Sequence, residues 1–189
     1  MSVRVIAGKF GSRTLKGPRG LALRPTSDRL RETLFNILGV AVEDSVFVDV
    51  YAGTGAVGIE ALSRGAKRAV FIENHKTALA LIQKNLRELG IEQGAELLPL
   101  DAVKGLSRLA NQGTRADFIF LDPPYADATE YERVLAMLGD SPIVPPGGQV
   151  IVEHDRRQKL EERAGNLSRT RVVEQGDAVL SIYKRVEIV

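Results

Sequence analysis

The sequence predicts an α/β protein built on a mostly parallel sheet. Four short apolar runs predict buried strands, at 46–51, 69–73, 96–101 and 117–122. Four helical patterns follow them, near 56–64, 76–89, 103–111 and 129–138. Gly65, Gly90 and Gly139 are the expected stops of three of these helices. Such regular alternation of strand and helix is typical of a parallel sheet covered by helices on both faces.

The end of the chain departs from this alternation. Three further strands are predicted, at 149–153, 168–174 and 178–185. Only Gln175, Gly176 and Asp177 separate the last two. A link this short permits only a hairpin, so the last strand is expected to run antiparallel.

The N-terminal segment predicts a hairpin followed by a helix. Strand-like pieces at 3–7 and 13–16 flank a glycine-containing turn, and a Gly-Pro segment at 17–20 ends the hairpin. Thr26 or Ser27 is the expected N-cap of the helix, and Gly39 its end. Its expected apolar stripe is Leu30, Leu34, Ile37 and Leu38. Arg29 and Arg31 lie off that stripe, where they could face a ligand. We therefore divide the chain into a hairpin arm, residues 1–24, and one α/β domain, residues 25–189.

Composition excludes several classes of site. The 189-residue chain is 44% hydrophobic and 26% charged, as expected of a globular domain. The absence of cysteine excludes thiolate nucleophiles, cysteine-ligated zinc and iron–sulfur clusters. Two histidines are too few to predict a metal site. Because no apolar run resembles a signal peptide or a membrane span, a cytoplasmic protein without membrane contact is expected.

Positive charge is concentrated at the N-terminus. Residues 1–31 contain eight basic side chains and one acidic, whereas the remainder contains 18 basic and 23 acidic. A basic segment on an acidic body favours a polyanionic partner such as a nucleic acid, and a merely solvated terminus is the alternative. The candidate RNA contacts are Arg4, Lys9, Arg13, Lys16, Arg24 and Arg29.

Four acids lie at or near the C-terminal ends of predicted strands. They are Asp49, Glu73, Asp101 and Asp122. Ligands bind at that edge of an open α/β sheet, so the four acids predict a shared cleft, although any one of them could serve only as a helix N-cap.

The loop at 53–58 fits the pattern G-x-G-x-x-G, and Glu73 follows Gly53 by 20 residues, as in dinucleotide-binding proteins. NAD is therefore one candidate ligand. Asp49, however, precedes the glycine turn, where a carboxylate repels a pyrophosphate and attracts a cation. S-adenosylmethionine has no phosphate and carries a sulfonium and an ammonium group, so it is favoured.

The candidate cofactor contacts follow from this assignment. Asp49 would meet the methionine ammonium, Glu73 the ribose hydroxyls, and Asp101 the adenine amine. The full predicted set is Asp49, Tyr51, Ala52, Gly53, Thr54, Gly55, Glu73, Asn74, Asp101 and Ala102.

The tetrapeptide at 122–125, Asp-Pro-Pro-Tyr, follows a buried strand, and its prolines end that strand because neither can donate to a sheet. Asp122 and the Pro123 carbonyl can accept the two N–H hydrogens of an exocyclic amine, while Tyr125 stacks on the ring. The alternative is a proline-terminated strand with a surface tyrosine. The predicted catalytic residues are Asp122, Pro123, Pro124 and Tyr125.

The whole chain resembles a class I S-adenosylmethionine-dependent methyltransferase, and more narrowly the RsmD family. The resemblance is carried by residues 5–8 with 23–26 and 31–36, by 49–58 with 60–66, and by 121–125. It implies a Rossmann-like, seven-stranded sheet with its last strand antiparallel, and a target base held by residues 122–125.

The family acts on N2 of a guanine in 16S ribosomal RNA (family target guanine 966), so the resemblance implies 16S RNA or a small-subunit assembly particle as partner. We expect a monomer. The loop at 122–125 alone equally permits adenine N6 methylation of DNA or RNA. An NAD-dependent oxidoreductase and a non-catalytic RNA-binding assembly factor are further alternatives.

Overall fold

The computed structural model describes residues 3–17, 27–124 and 128–186. The chain divides into two units, Met1–Asp101 and Ala102–Val189. Each unit is built from the elements that the sequence predicts, with small differences in their bounds.

The first unit begins with the expected hairpin. Strands β1 (Val3–Arg4) and β2 (Thr14–Leu15) pair antiparallel. Helix α1 (Asp28–Leu38) follows, and its N-cap is Ser27, whose hydroxyl accepts from the Leu30 amide. A short 3-10 helix, Gly39–Val42, which the sequence did not predict, continues from it.

The parallel part of the first unit has three strands. They are β3 (Val46–Val50), β4 (Arg68–Ile72) and β5 (Ala95–Leu98), in the order β5–β4–β3. Helix α2 (Ala56–Ser63) connects β3 to β4, and α3 (Lys76–Glu88) connects β4 to β5. Both helices therefore occur where the sequence predicts them.

The hairpin is held against helices α2 and α3 by side-chain hydrogen bonds. The buried Glu60 carboxylate accepts from the amides of Ile6 (2.7 Å) and Ala7 (3.1 Å). The Ser63 hydroxyl accepts from the Phe10 amide and donates to the Ala7 carbonyl. These bonds satisfy hairpin backbone groups that have no strand partner.

Apolar packing adds to this attachment. Val3, Val5 and Leu15 of the hairpin are buried in one cluster with residues of the parallel sheet and its helices, among them Phe71 and Ile82. The predicted boundary at residues 24–25 lies within 18–26, outside the described residues, and stays a prediction. The hairpin side chains nevertheless form part of the core of the first unit.

Arg31 corrects the expectation for α1. Its side chain is fully buried rather than turned to a ligand. It donates to the Arg4 carbonyl (2.8 Å) and to the Asp28 carboxylate (2.6 Å). The apolar face of α1 includes the buried Phe35, whereas Ile37 is only half-buried. A buried arginine here joins α1 to the hairpin.

The described residues of the second unit form two more helices and five strands. Its helices are α4 (Ala102–Asn111) and α5 (Ala128–Gly139). Its strands are β6 (Phe118–Leu121), β7 (Gln149–Asp155), β8 (Arg163–Ala164), β9 (Leu167–Gln175) and β10 (Ala178–Arg185). Their order is β6–β7–β10–β9–β8.

Strand direction in the second unit agrees with the prediction. β6 pairs parallel with β7, and the last strand, β10, lies antiparallel between β7 and β9. The two-residue β8 was not predicted. It lies where Gly139 packs closely against Ala164, since a Cβ on Gly139 would be 2.3 Å from the Ala164 carbonyl oxygen.

We predict that Gly8→Ala destabilises the protein much more than Gly90→Ala. Both glycines have a positive φ, +80° and +68°, so both variants carry the backbone strain of an L-residue in that region. Only at Gly8 would the added Cβ collide, 1.9 Å from the Ser63 carbonyl oxygen; no atom lies within 4 Å of a Cβ at Gly90. Urea unfolding of both variants measures the difference, and equal losses would contradict the tight docking of the hairpin.

Candidate active site

Asp49 is the most deeply placed of the predicted ligand-binding acids. It lies in β3, is 2% exposed, and its carboxyl accepts from the Gly58 amide at 2.8 Å. Burial raises the pKa of Asp49 from 3.8 to about 8; the Gly58 hydrogen bond opposes this shift, the neighbouring Glu73 adds to it, and Arg31 opposes it. The site is therefore one in which a cation would restore the charged form of Asp49.

Close packing explains the last glycine of the loop. A Cβ on Gly58 would lie 2.4 Å from the Phe71 ring, so the backbone of helix α2 packs directly on this side chain of β4. The approach brings the Gly58 amide to Asp49. In loops of this pattern the third glycine permits such close packing of helix against strand.

Glu73 immediately follows β4 and holds the start of the glycine loop. Its carboxylate accepts from the Gly53 amide at 2.9 Å. It also accepts from the amides of Asn74 and His75, at 2.8 and 2.9 Å, just before α3 begins. Glu73 thus connects two of the predicted cofactor-binding segments, and it is 7% exposed.

Tyr51 occupies a strained position between β3 and the glycine turn. Its φ is +62°, a left-handed value that costs a non-glycine residue about 1–3 kcal/mol. The Tyr51 and Ala52 amides both donate to the Ile72 carbonyl, at 3.0 and 3.2 Å. The strain is maintained by these bonds at a point where the sequence predicts cofactor contact.

Asn85 is a residue that the sequence analysis missed. It is buried on α3, and its amide nitrogen donates to the Thr54 carbonyl at 3.0 Å and to the Lys16 carbonyl at 3.2 Å. Its oxygen accepts from the Lys16 amide. One side chain therefore joins the glycine loop to the hairpin. An asparagine within a helix pattern carries no sequence signal for such a role.

Asp101 and Ala102 lie at the boundary of the two units. Asp101 is the last residue of the first unit and is half-buried, three residues after β5. Ala102 begins α4 in the second unit and is buried. Asp49, Glu73 and Asp101 therefore lie in or after the three parallel strands of the first unit, as predicted. The shared cleft that includes Asp122 stays a prediction.

The second unit places Asp122 directly after β6. Asp122 is half-buried, Pro123 buried and Pro124 exposed. The hydroxyl of the buried Tyr131, on α5, donates to the Pro123 carbonyl at 3.4 Å. The predicted stacking residue, Tyr125, lies outside the described residues.

The predicted RNA contacts are exposed wherever the structure describes them. Arg4 pairs with Asp28, Arg13 donates to the Glu88 carbonyl, and the Lys16 ammonium is 4.0 Å from the Glu88 carboxylate. Lys9 lies over the Phe10 ring, and Arg29 is exposed on α1. Arg24 lies outside the described residues.

No described helix is both long and apolar enough to cross a membrane. Within residues 3–17, 27–124 and 128–186, no group of three or more His, Cys, Asp or Glu side chains is arranged to hold a metal ion.

Comparison with known proteins places this chain in a family. The family described as Conserved hypothetical protein 95 matches residues 3–184. Ribosomal RNA small subunit methyltransferase D of Escherichia coli K12 is 34% identical over 183 residues, which cover 97% of this chain and 90% of the relative. The chain belongs to the RsmD family of S-adenosylmethionine-dependent methyltransferases.

Two further matches support the assignment. Ribosomal RNA small subunit methyltransferase D of Haemophilus influenzae is 36% identical over 159 residues, covering 84% of this chain and 81% of the relative. The solved structure of the Escherichia coli protein yhhF is 33% identical, with a TM-score of 0.85 and 98% coverage of both chains. The RsmD-type fold, a Rossmann-like class I methyltransferase, is thereby confirmed for the chain.

We predict that Asp49→Asn is stabilising at alkaline pH in the cofactor-free protein. The raised pKa means that folded Asp49 keeps a proton which the unfolded chain loses above about pH 4. The contribution of Asp49 to the free energy of unfolding is complete below about pH 4 and declines up to about pH 8, by at most about 1.4 kcal/mol per pH unit. The amide of the Asp49→Asn variant does not titrate, so the free energy of unfolding of the variant does not fall with pH for this reason.

Urea unfolding at about pH 5 and about pH 8 measures the effect. The advantage of Asp49→Asn over wild type should grow with pH. Asp44→Asn, which replaces an exposed carboxyl in the same unit, is the control. An advantage of Asp49→Asn that does not change with pH would show that Asp49 is ionised in the folded protein.

Proposed function

We propose that this protein transfers a methyl group from S-adenosylmethionine to the exocyclic N2 of a guanine in 16S ribosomal RNA. The observation that carries the proposal is the loop after β6, in which Asp122 and the carbonyl of the buried Pro123 present two acceptors at a strand end. Small-subunit ribosomal RNA appears in the names of relatives 34–36% identical to this chain, and these support the choice of substrate.

The first unit is suited to hold the cofactor. When bound, S-adenosylmethionine supplies an electrophilic methyl group on a sulfonium. Asp49 would accept from the methionine ammonium. Because its carboxyl is buried and its pKa is raised, a nearby cation would favour its charged form. Glu73 would accept from the ribose hydroxyls, and Asp101 from the adenine amine. Residues 51–55 and Asn74 would line the ligand, and Ala102 would lie beside the adenine.

The loop of the second unit would orient the target base. The lone pair of an aryl amine is delocalised into the ring, which makes the amine a poor nucleophile. Accepting its two N–H hydrogens at Asp122 and at the Pro123 carbonyl favours a pyramidal nitrogen with a directed lone pair. Tyr125 would stack on the ring of the extruded base, and Pro124 would stiffen the loop. Catalysis of this kind depends on orientation and fixed dipoles, and needs no covalent intermediate.

Adenine N6 is the second candidate target, because the same two acceptors fit either amine. The RsmD resemblance favours guanine. An NAD-dependent reaction is disfavoured by the buried Asp49 beside the glycine loop, since a pyrophosphate there would oppose ionisation of this carboxyl, whereas a cation favours it. A role limited to RNA binding would leave the acceptors of the 122–125 loop and the strained Tyr51 without a function.

The hairpin would bind the RNA backbone. Its described basic side chains are exposed, while its backbone is fixed by Glu60, Ser63 and Asn85. Rigid attachment lowers the entropy lost when a phosphate backbone is bound. We infer a cytoplasmic monomer that acts on 16S RNA or on an assembling small-subunit particle.

Turnover with RNA tests the proposed function. Wild-type protein, S-adenosylmethionine and either free 16S RNA or small-subunit particles are incubated, and the RNA is digested to nucleosides for mass spectrometry. N2-methylguanosine is the expected product. N6-methyladenosine would replace the guanine assignment with the adenine one, and the absence of any methylated nucleoside on both substrates would refute the proposal.

Asp122→Ala should reduce kcat by about 100-fold or more, because its hydrogen bond is strengthened in the transition state. Affinity for S-adenosylmethionine, measured by calorimetry, should remain near that of wild type, since the proposed cofactor contacts except Ala102 belong to the first unit. Asp117→Ala, an exposed acid just before β6, is the control. Equal kcat in the two variants would exclude a catalytic role for Asp122.

Removing two hairpin charges should weaken RNA binding and its salt dependence. In Lys9→Ala/Arg13→Ala the slope of log affinity against log salt should fall by about one for each phosphate that the hairpin no longer neutralises. Lys104→Ala/Arg108→Ala removes the same charge from exposed positions on α4 and serves as control. If both double variants change the slope equally, only net charge matters and the hairpin does not bind RNA specifically.

A further inference from the structure

The loop after β6 has few means of fixing its own carbonyl groups. Pro123 and Pro124 lack backbone N–H groups, so this part of the loop cannot be held by its own amide donors. The Pro123 carbonyl nevertheless lies on a buried residue, where a polar group needs a hydrogen-bond partner. A donor from another element can supply that partner.

Tyr131 supplies such a donor from the first turn of α5. Its side chain is 1% exposed, and its hydroxyl donates to the Pro123 carbonyl oxygen at 3.4 Å, a long hydrogen bond. A carbonyl oxygen has two lone pairs. Donation from Tyr131 occupies one of them and leaves the other for a substrate amine.

The surroundings of Tyr131 keep its hydroxyl protonated. Burial raises the pKa of Tyr131 well above its usual range, and the carboxylates of Asp122, Glu153 and Asp155 raise it further. The hydroxyl is thus a permanent donor at physiological pH.

We propose that Tyr131 is a positioning residue for methyl transfer: its hydroxyl fixes the Pro123 carbonyl in the direction from which that carbonyl accepts the amine of the target base. This inference rests on the proposed function, because it assigns Tyr131 a part in the same acceptor loop. It acts through Pro123 and makes no contact with the reacting atoms.

Tyr183 offers a matched comparison within the same unit. It is also fully buried, and its hydroxyl donates to the Glu161 carbonyl at 2.6 Å, a shorter bond than that of Tyr131. Glu161 precedes β8 and has no place in the proposed reaction. If both buried tyrosine hydroxyls served only stability, Tyr183→Phe should lower the thermal unfolding midpoint at least as much as Tyr131→Phe, and neither variant should lower kcat specifically.

The test compares Tyr131→Phe, Tyr131→Leu and Tyr183→Phe with wild type in the full chain. Each is assayed for kcat and for KM toward 16S RNA, for S-adenosylmethionine affinity by calorimetry, and for its thermal unfolding midpoint. We expect Tyr131→Phe to lower kcat about three- to tenfold, the range of one lost neutral hydrogen bond, without a rise in KM. Tyr131→Leu should lose at least as much kcat, and Tyr183→Phe should lose stability without losing kcat.

The outcomes separate the two proposals. If wild type methylates RNA and Tyr131→Phe retains full kcat, the positioning role is wrong, and a loss confined to Tyr131→Leu would show that the ring only packs. A Tyr131→Phe protein that does not fold, while Tyr183→Phe does, would assign the hydroxyl to stability and also overturn the inference. Inactive wild-type protein would refute the proposed function, and the inference with it.

Discussion

The hydrogen bond between the Asp49 carboxyl and the Gly58 amide joins the end of β3 to helix α2, and the cofactor site proposed for the first unit depends on it. Only glycine fits at position 58, against Phe71, so the helix can come this close to the sheet. This close packing has an electrostatic cost, because the Asp49 carboxyl loses its hydration and lies near Glu73. A ligand that brings positive charge relieves this cost, whereas a phosphate increases it.

Much of this arrangement could be predicted because it depends on local pattern. Strands with continuous apolar runs and helices ended by glycine have clear signals, and each predicted strand and helix has a counterpart, although β1 and β2 are only two residues long and β5 ends three residues early. The placement of Asp49, Glu73 and Asp101 followed directly, since parallel strands end at one edge. The two-residue β8 and the 3-10 helix after α1 have no comparable pattern, because so few residues define them.

The attachment of the hairpin could not be predicted from pattern. Arg31 is charged and off the apolar stripe, yet it is buried because the Arg4 and Ala56 carbonyls and Asp28 accept from its two terminal nitrogens, while its Nε has no partner among the described residues. Glu60 and Asn85 are buried for the same reason, as partners of hairpin amides and carbonyls that are distant in sequence. Such residues look like surface positions in a sequence, since their partners exist only after folding.

The chemistry of the two units has a common feature. The groups assigned to ligands in both are acceptors: Asp49 and Glu73 in the first, Asp122 and the Pro123 carbonyl in the second. Acceptors favour ammonium, hydroxyl and amine groups and repel phosphate. An RNA substrate must therefore present a base to these groups while its phosphates bind elsewhere.

The exposed cations of the hairpin are suited to binding those phosphates, and the buried bonds from Glu60, Ser63 and Asn85 keep them on a rigid support. Under the proposed function, separating acceptors from cations in this way would let one small protein bind a cationic cofactor and a polyanion without either competing for the other's binding groups.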